Sequence, residues 1–455
     1  MTTITKPTHA VAIFGGACSG SVAAEILAEQ GCQVVVFEQN PRPYGKIEDG
    51  LPRWHKEQRL MEYGKIDERL DRANVTYVPK TKLGEDVQFD DVYRWGWSAV
   101  LLANGAWKDR PLDAEGADDV VDKGLVYQNP FIYWFNHYEE QGYDGPRYEI
   151  PDGPVCVGGG LASIDVVKAF QLELYGRALR AKGIKVDLIE LEHQGIPKFC
   201  AAHGIDDPAS LGVTNATLIY RRRADDMPLA SPPKGASEKQ LAKIATVRQK
   251  ILDKCQRNFL FEFVPQAVTK SVIVEDGRLV GLVLLKTELD EKGRAREVEG
   301  SEFELRTHLV VSSIGSIPEP IPGIEMNGTY YKYKDWDTGE YEPLPGVYGV
   351  GNVVTGQGNI KASLEHGKAV GHHLAENYLG VGDDHERDLS AAFDIMDAKG
   401  AAAAALIADR LKKVKPLAAA HVEQLLAKAH ARQAEVGYTG DYRGWLKQVT
   451  PPDLG

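Results

Sequence analysis

A chain of 455 residues is long enough for two or three domains, each with its own core. Its 43% hydrophobic and 26% charged residues are those of an ordinary globular protein, and a formal net charge of −12 with no basic stripe excludes a general nucleic-acid binder. No apolar run approaches the roughly 18 residues of a membrane span, and the opening MTTITKPTHA lacks the apolar region of a secretion signal. The reading is therefore cytoplasmic, with no membrane partner. The five cysteines, Cys18, Cys32, Cys156, Cys200 and Cys255, form no C-x-x-C pair, so no redox dithiol, cysteine metal site or other metal centre is expected. Redox chemistry would have to come from bound cofactors.

In chain order, Val11 to Glu38 comes first: a short apolar strand, a glycine-rich turn, an amphipathic helix, and a second strand ending on an acid. This is the pattern of a dinucleotide-binding βαβ unit, in which the backbone approaches a pyrophosphate at a helix N-terminus. The turn is Gly15-Gly16-Ala17-Cys18-Ser19-Gly20, matching G-x-G-x-x-G except for Ala17, and Glu38, followed by Gln39, stands where a carboxylate binds ribose hydroxyls. Gln39 to Leu60 reads as a Pro- and Gly-rich loop, too irregular for helix. In a flavin protein the chain wraps around the ring here. Asn74–Pro79 and Ser98–Gly105 read as strands, the second ending in a tight turn with Ala103, Asn104 and Gly105.

A second unit opens at Pro154 and carries Gly158-Gly159-Gly160-Leu161-Ala162-Ser163, again between a strand and a helix. Two such units imply two dinucleotides facing each other. Two strand candidates follow the second unit. Val186–Leu191 carries Glu190 and Glu192 at its end, suiting an unphosphorylated ribose. Ala216–Tyr220 runs into Arg221, Arg222 and Arg223, which suit a 2′-phosphate through charge-assisted bonds. Phe259–Val264, Ser271–Val274 and Leu279–Thr287 read as antiparallel strands, the last two joined by a turn at Glu275-Asp276-Gly277. His308–Ile314 is a further buried strand, and Gly346–Ile360 reads as a strand and two glycine turns leading to a helix over 362–378. From about Asp384 to Glu435 the composition turns Ala-, Leu- and Lys-rich with helical periodicity, broken at Pro416, and the end carries exposed-looking aromatics. The expectation is a helical appendix that either packs on the body or receives a partner, read as a docking element outside the cofactor sites, with Lys412, Lys413 and Lys415 as a basic run that suits an acidic partner or forms a solvated face.

In the order GGACSG, PYGKIEDGLP, LLANGA, VGGGLASIDVVK, LIYRRRADDMP and VGNVVTGQGNI, these stretches resemble the adrenodoxin-reductase-like flavoproteins, and more so the glutamate synthase small-subunit branch. The resemblance covers Val11 to about Tyr378. It implies an α/β fold with two Rossmann-like domains: an FAD domain in two parts, 1–115 and 321–383, an inserted NAD(P)H domain at 116–320, and a C-terminal helical extension at 384–455. It places FAD on Gly15, Ala17, Gly20 and Glu38, on the wrapping loop at Gly45, Lys46, Ile47 and His55, and on Gly351, Asn352, Gly358, Asn359 and Ile360. It places NADPH on Gly158, Gly160 and Ser163, with Arg221 and Arg222 at the 2′-phosphate. Leu161 stands where relatives usually carry Asn, and Asn352 where many flavoproteins carry an acid. The cysteine-rich iron–sulfur domain of glutamate synthase small subunits has no counterpart in these residues.

The implied activity is hydride transfer from NADPH to FAD, then electron delivery to an iron–sulfur protein, as in a ferredoxin–NADP reductase or the electron-transfer subunit of a larger redox complex. The flavin carries the chemistry, so no obligatory acid–base residue is needed, and His55 is the one catalytic candidate near the ring. Self-association into a homo-oligomer is left open. Two other readings are a flavin monooxygenase or oxidase acting on a small molecule, and a non-catalytic flavoprotein-like subunit.

Overall fold

The computed structural model describes residues 6–230, 237–336, 338–354 and 390–451. The first unit forms as its pattern requires: β1 (Ala10–Phe14), α1 (Cys18–Glu29) and β2 (Gln33–Phe37). The loop that follows is more ordered than its composition suggests. It contains the short helix α2 (Lys46–Asp49) and a 3-10 turn at Arg53–His55, and from Lys56 it is already α3 (Lys56–Leu70). The run KEQRLMEY after Pro52 has no helix breaker, and its i,i+4 pairs close, Gln58 donating to Glu62 at 3.2 Å and Arg59 to Tyr63 at 3.1 Å. β3 (Val75–Val78), α4 (Phe89–Arg94) and β4 (Ala99–Leu102) complete the first half.

The chain then crosses on β5 (Lys108–Asp109) to β6 (Leu125–Tyr127), α5 (Gln128–His137), β7 (Val155–Gly158) and α6 (Leu161–Ala181). The candidate strand at 186–191 is instead helical. Asp187 caps α7 (Leu188–Gln194) by accepting from the backbone of Ile189 at 2.8 Å and Glu190 at 3.2 Å, and Leu188 and Leu191 share its buried face. After α8 (Ile196–Ala202) comes β8 (Thr217–Tyr220), beside β7. The 22-residue α9 (Glu238–Phe259), unanticipated from the sequence, starts at a Ser237–Gln240 capping box. Phe259 closes that helix. The strand after it, β9 (Glu262–Pro265), runs parallel to β8 rather than antiparallel, because a crossover helix returns the chain in the same direction. β10 (Ala267–Glu275) and β11 (Arg278–Leu289) do form the expected hairpin, turning at Asp276-Gly277. They carry β12 (Ala295–Glu297) and β13 (Phe303–Arg306) in an antiparallel sheet. β14 (Val310–Ser313) leads to the return crossing, β15 (Ser316–Ile317), which pairs with β5. The ribbon of β16 (Met326–Asn327) and β17 (Tyr330–Tyr331) precedes β18 (Tyr333–Asp335), β19 (Glu340–Tyr341) and β20 (Val347–Gly349). The expected helix at 362–378 lies outside the described residues.

Two parallel sheets result. One has the order β18-β19-β20-β4-β1-β2-β3, parallel from β20 onward, and the other is β6-β14-β7-β8-β9, parallel throughout. In both, the glycine turn follows a central strand where the order reverses, the position at which open α/β sheets bind ligands.

The C-terminal region is helical, as expected, and of the two alternatives for it the structure shows packing on the body. α10 (Ser390–Leu411), α11 (Ala419–Glu435) and α12 (Tyr442–Val449) pack on the first sheet and its helices, with Pro416 between the first two. Ala404, Ile407, Ala408 and Leu411 share a core with Val11, Ala23 and Leu27. The Gln433 amide donates to the Tyr77 carbonyl of the edge strand at 2.6 Å, and Tyr442 donates to the buried Asp67 carboxylate at 2.8 Å. Tyr438, Tyr442 and Trp445, exposed-looking in the sequence, are each buried. The Ala-rich helices are marginal alone and gain their stability from this packing. Among the described residues no helix is long and apolar enough to cross a membrane.

Trp445 ties this region down: its ring packs edge-on to Tyr438 at 5.6 Å and its indole N–H donates to the Pro41 carbonyl at 2.8 Å. Trp445→Ala is expected to lower stability by about 3–5 kcal/mol. Urea unfolding measures this, and an unchanged midpoint would show that the C-terminal helices do not belong to the folded body.

Candidate functional site

The first turn is shaped by residues without side chains. Gly15 leaves β1 with φ of +104°, and a Cβ on it would overlap the Ala103 carbonyl. A Cβ on Gly20 would overlap the Gly15 carbonyl. The two glycines let α1 start hard against β1 and β4. α1 has no side-chain cap at Ala17, so its first N–H groups and the positive end of its dipole are left for a ligand. At the end of β2 the buried Glu38 carboxylate accepts from the backbone of Gly16 at 2.8 Å and Asn40 at 2.9 Å. Burial pushes its pKa up to about 7, opposed by those two hydrogen bonds.

One cavity runs along this turn. Gly15, Ala17, Cys18, Ser19 and Gly20 line it, as do Glu38 and Gln39, Gly45, Lys46 and Ile47, Ala103, Asn104 and Gly105, and Gly351 and Asn352. Segments far apart in sequence thus converge on one space. Gly358, Asn359 and Ile360 lie outside the described residues. His55 does not line the cavity; it is buried in the 3-10 turn, its Nε2 accepting from the Trp54 indole at 3.0 Å. Sequence reading missed Phe14, Tyr44, Lys82, Trp107 and Glu319, and from α10, Phe393 and Met396. Trp107, just past the Asn104-Gly105 turn, was within reach of the sequence. Phe393 and Met396 carried no local signal, because only tertiary packing brings α10 over α1. There Ser19 Oγ donates to the Met396 carbonyl at 2.8 Å, and Arg69 pairs with Asp397 at 2.6 Å.

The loop that carries Gly45 to Ile47 is held by α5. The Asn136 amide donates to the carbonyls of Glu48 and Leu51, each at 3.0 Å. His137 lies between Asp49 at 3.3 Å and Glu140 at 2.6 Å, with the Tyr133 ring 4.6 Å away. Arg53 pairs with Glu139 at 2.5 Å and lies over the Phe135 ring.

The second turn is equally tight. A Cβ on Gly158 would overlap the Ser313 carbonyl, and one on Gly159 the Tyr220 ring. Gly160 precedes α6 without a side-chain cap, Leu161 and Ala162 form its half-buried first turn, and the buried Ser163 hydroxyl donates to the Ser313 carbonyl at 3.1 Å. Beside this turn β8 ends in the three arginines. Arg223 is spent on Asp226 at 2.9 Å. Arg221 and Arg222 form no ion pair among the described residues, while their carbonyls are pinned by Thr287 at 2.7 Å and Gln266 at 3.0 Å. The alternative carboxylates are elsewhere: Glu190 is exposed on α7, and Glu192 is buried against Lys168 at 2.6 Å. None of the second-turn residues lines the first cavity.

His137 has a pH signature. Burial lowers its pKa, but the hydrogen bonds to Asp49 and Glu140 outweigh this and raise it to about 9. A raised cationic pKa contributes stability that is fully present below 6.5 and lost as pH rises through about 9. His137→Asn is expected to remove stability on the order of 3 kcal/mol at pH 6 and much less at pH 10. Denaturation at both pH values checks it, and an equal loss at both would refute the charged state.

No protein-family model matches the chain. It is 24% identical to a putative glutamate synthase (NADPH) small chain of Cereibacter sphaeroides over 79% of this chain and 75% of that protein. It is 22% identical to the mitochondrial NADPH:adrenodoxin oxidoreductase of Arabidopsis thaliana, over 71% of this chain and 70% of the other. The fold is that of Mycobacterium tuberculosis FprA, solved in complex with NADPH, with a TM-score of 0.60, 18% identity and 94% and 91% of the two chains covered. With glycine-rich turns at corresponding places on two parallel sheets, the chain is similar in sequence and in fold to the adrenodoxin-reductase-like and glutamate synthase small-subunit-like oxidoreductases.

Proposed function

We propose that the first cavity holds FAD and the second turn NADPH, and that the protein passes a hydride from NADPH to FAD and electrons onward to an iron–sulfur protein, free or within a larger redox complex. The observation that carries this is the convergence of the first-turn residues, Glu38, the 45–47 loop and Gly351 on one cavity, with a separate turn on the other sheet and two arginines that form no ion pair among the described residues. The residues fit the group. The Gly15–Gly20 turn leaves room for a pyrophosphate at the α1 N-terminus, Glu38 offers a carboxylate to ribose hydroxyls, and Ile47, Leu51 and Trp107 supply apolar wall. Bound flavin supplies two-electron acceptance and one-electron release. The chain's own part is to bind and orient: Arg221 and Arg222 grip the 2′-phosphate, and α5 keeps the 45–51 loop in place. The domain division of this reading remains 1–115 with 321–383, 116–320 and 384–455, and the crossings at β5 (Lys108–Asp109) and β15 (Ser316–Ile317), a few residues before two of these limits, support it. A cytoplasmic setting is supported by five cysteines that all remain free.

The purified protein is expected to be yellow, and Gly15→Val colourless, since the added side chain would enter the Ala103 backbone. A Gly15→Val protein with normal flavin content would refute the cavity assignment. The double change Arg221→Ala with Arg222→Ala is expected to raise KM for NADPH at least tenfold and to leave NADH nearly unaffected, each lost charge-assisted contact costing about 1.5–3 kcal/mol. Steady-state kinetics with both nucleotides decide it, and equal effects on the two would reassign the phosphate site.

A further inference from the structure

Where the two crossings meet, the structure holds a lysine in an unusual setting. The Lys46 side chain leaves α2 and ends at groups from both connections. Its Nζ donates to Asn129 Oδ1 at 2.9 Å and to Ser316 Oγ at 3.2 Å, and lies 5.5 Å from the Trp107 ring centre. Asn129 is itself fixed, its amide donating to the Trp107 carbonyl at 2.9 Å and to Ser316 Oγ at 3.1 Å, and its backbone N–H to the Asp109 carboxylate at 3.3 Å.

Three features separate this lysine from a structural tie. It lines the first cavity, as does Trp107. It forms no ion pair within 4 Å among the described residues, so its charge is held by neutral acceptors. Finally, burial lowers its pKa to about 8 and raises that of Asp109 to about 6, with each group's charge opposing the other's shift. A desolvated ammonium without a contacting anion is costly, and a neutral donor would serve a purely structural role with less penalty. Two of its three N–H groups are taken by Asn129 and Ser316. The site is therefore built to present positive charge to whatever fills the cavity.

We propose that Lys46, positioned by Asn129 and Ser316, sets the reduction potential of the bound flavin by facing the negative charge that the ring acquires on reduction. This rests on the FAD reading above. The turn offers a pyrophosphate the α1 N-terminus, whereas the contacts of Lys46 Nζ are with Asn129, Ser316 and the Trp107 ring, none of them in that turn. A cation that favours the reduced form over the oxidised one raises the potential, and a nearby carboxylate opposes it. Asp109 is that carboxylate.

The test is the midpoint potential of the flavin in the whole protein, measured by spectroelectrochemistry with flavin content read from the same spectrum. Lys46→Met keeps the length and apolar stem and removes the charge. It is expected to retain flavin and to favour reduction about tenfold less, which is a fall of about 30 mV for a two-electron couple. Asp109→Asn is expected to shift the potential upward, and Lys46→Arg to stay close to the wild type. Equal potentials for wild type and Lys46→Met overturn the proposal. So does weakened flavin binding with unchanged potential, which would assign the ammonium to the pyrophosphate. If Lys46→Met does not hold flavin, Asp109→Asn decides: an upward shift supports the proposal, and no shift or a fall overturns it. A colourless wild-type protein would overturn the FAD reading, an outcome distinct from a yellow protein whose potential ignores Lys46.

Discussion

The structure depends on a close approach that excludes side chains. At the N-terminus of α1, Gly20 meets the Gly15 carbonyl, Gly15 meets the Ala103 carbonyl, and Gly400 of α10 meets the backbone of Ser19. A methyl group at any of these points would enter a neighbouring backbone atom. Backbone packed this closely keeps its N–H groups at the surface of a cavity rather than under side chains. The same contact seats α10 on α1 and so brings Phe393 and Met396 into the wall. Binding surface and core are, at this point, one feature.

Around that point the polar ties of α5 carry a second constraint. Asn129, Asn136 and His137 each reach across to the 45–51 loop, and their partners are loop carbonyls, Asp49 and Lys46. Ile47 and Leu51 of this loop are buried, and its polar backbone is tied to a helix that follows the crossing to the other sheet. The relative position of the two sheets and the shape of the cavity are thereby coupled. The buried pair of Lys168 and Glu192 contributes at the same boundary, with the Lys168 ammonium 4.7 Å from the Trp54 ring. Removing one partner of such a pair would leave an uncompensated buried charge, which makes this boundary intolerant of single changes.

Electron transfer asks little of protein acid–base chemistry and much of geometry and charge. That division fits what the cavity contains. Its lining is largely backbone and apolar side chain, and its charged groups, Glu38, Lys46, Lys82 and Glu319, are few and fixed in place. His55, the catalytic candidate of the sequence, does not line the cavity and accepts a hydrogen bond from the Trp54 indole.

Features written in short-range pattern were legible from the residues alone. The two strand–turn–helix units, the acid closing the first, the arginines closing β8 and the Asp276-Gly277 hairpin each depend on residues within one or two elements, so spacing alone reveals them. Of the cavity lining, the Gly15–Gly20 turn, Glu38 and the Asn104-Gly105 turn were legible for the same reason, whereas Tyr44, Lys82, Trp107 and Glu319 were not. Only the tertiary structure decided the rest. Residues 186–191 alternate like a strand, but Asp187 caps a helix whose apolar face is needed by α6. Phe259–Val264 looked like one more antiparallel strand until α9 set its direction. The C-terminal aromatics looked exposed because nothing local says that Tyr77, Asp67 and Pro41 wait to receive them. Lys46 read as one residue of a wrapping loop. Its neutral partners come from chain segments more than eighty residues away in the case of Asn129 and farther in the case of Ser316. Burial and charge pairing are properties of assembled surfaces, and no local pattern encodes them.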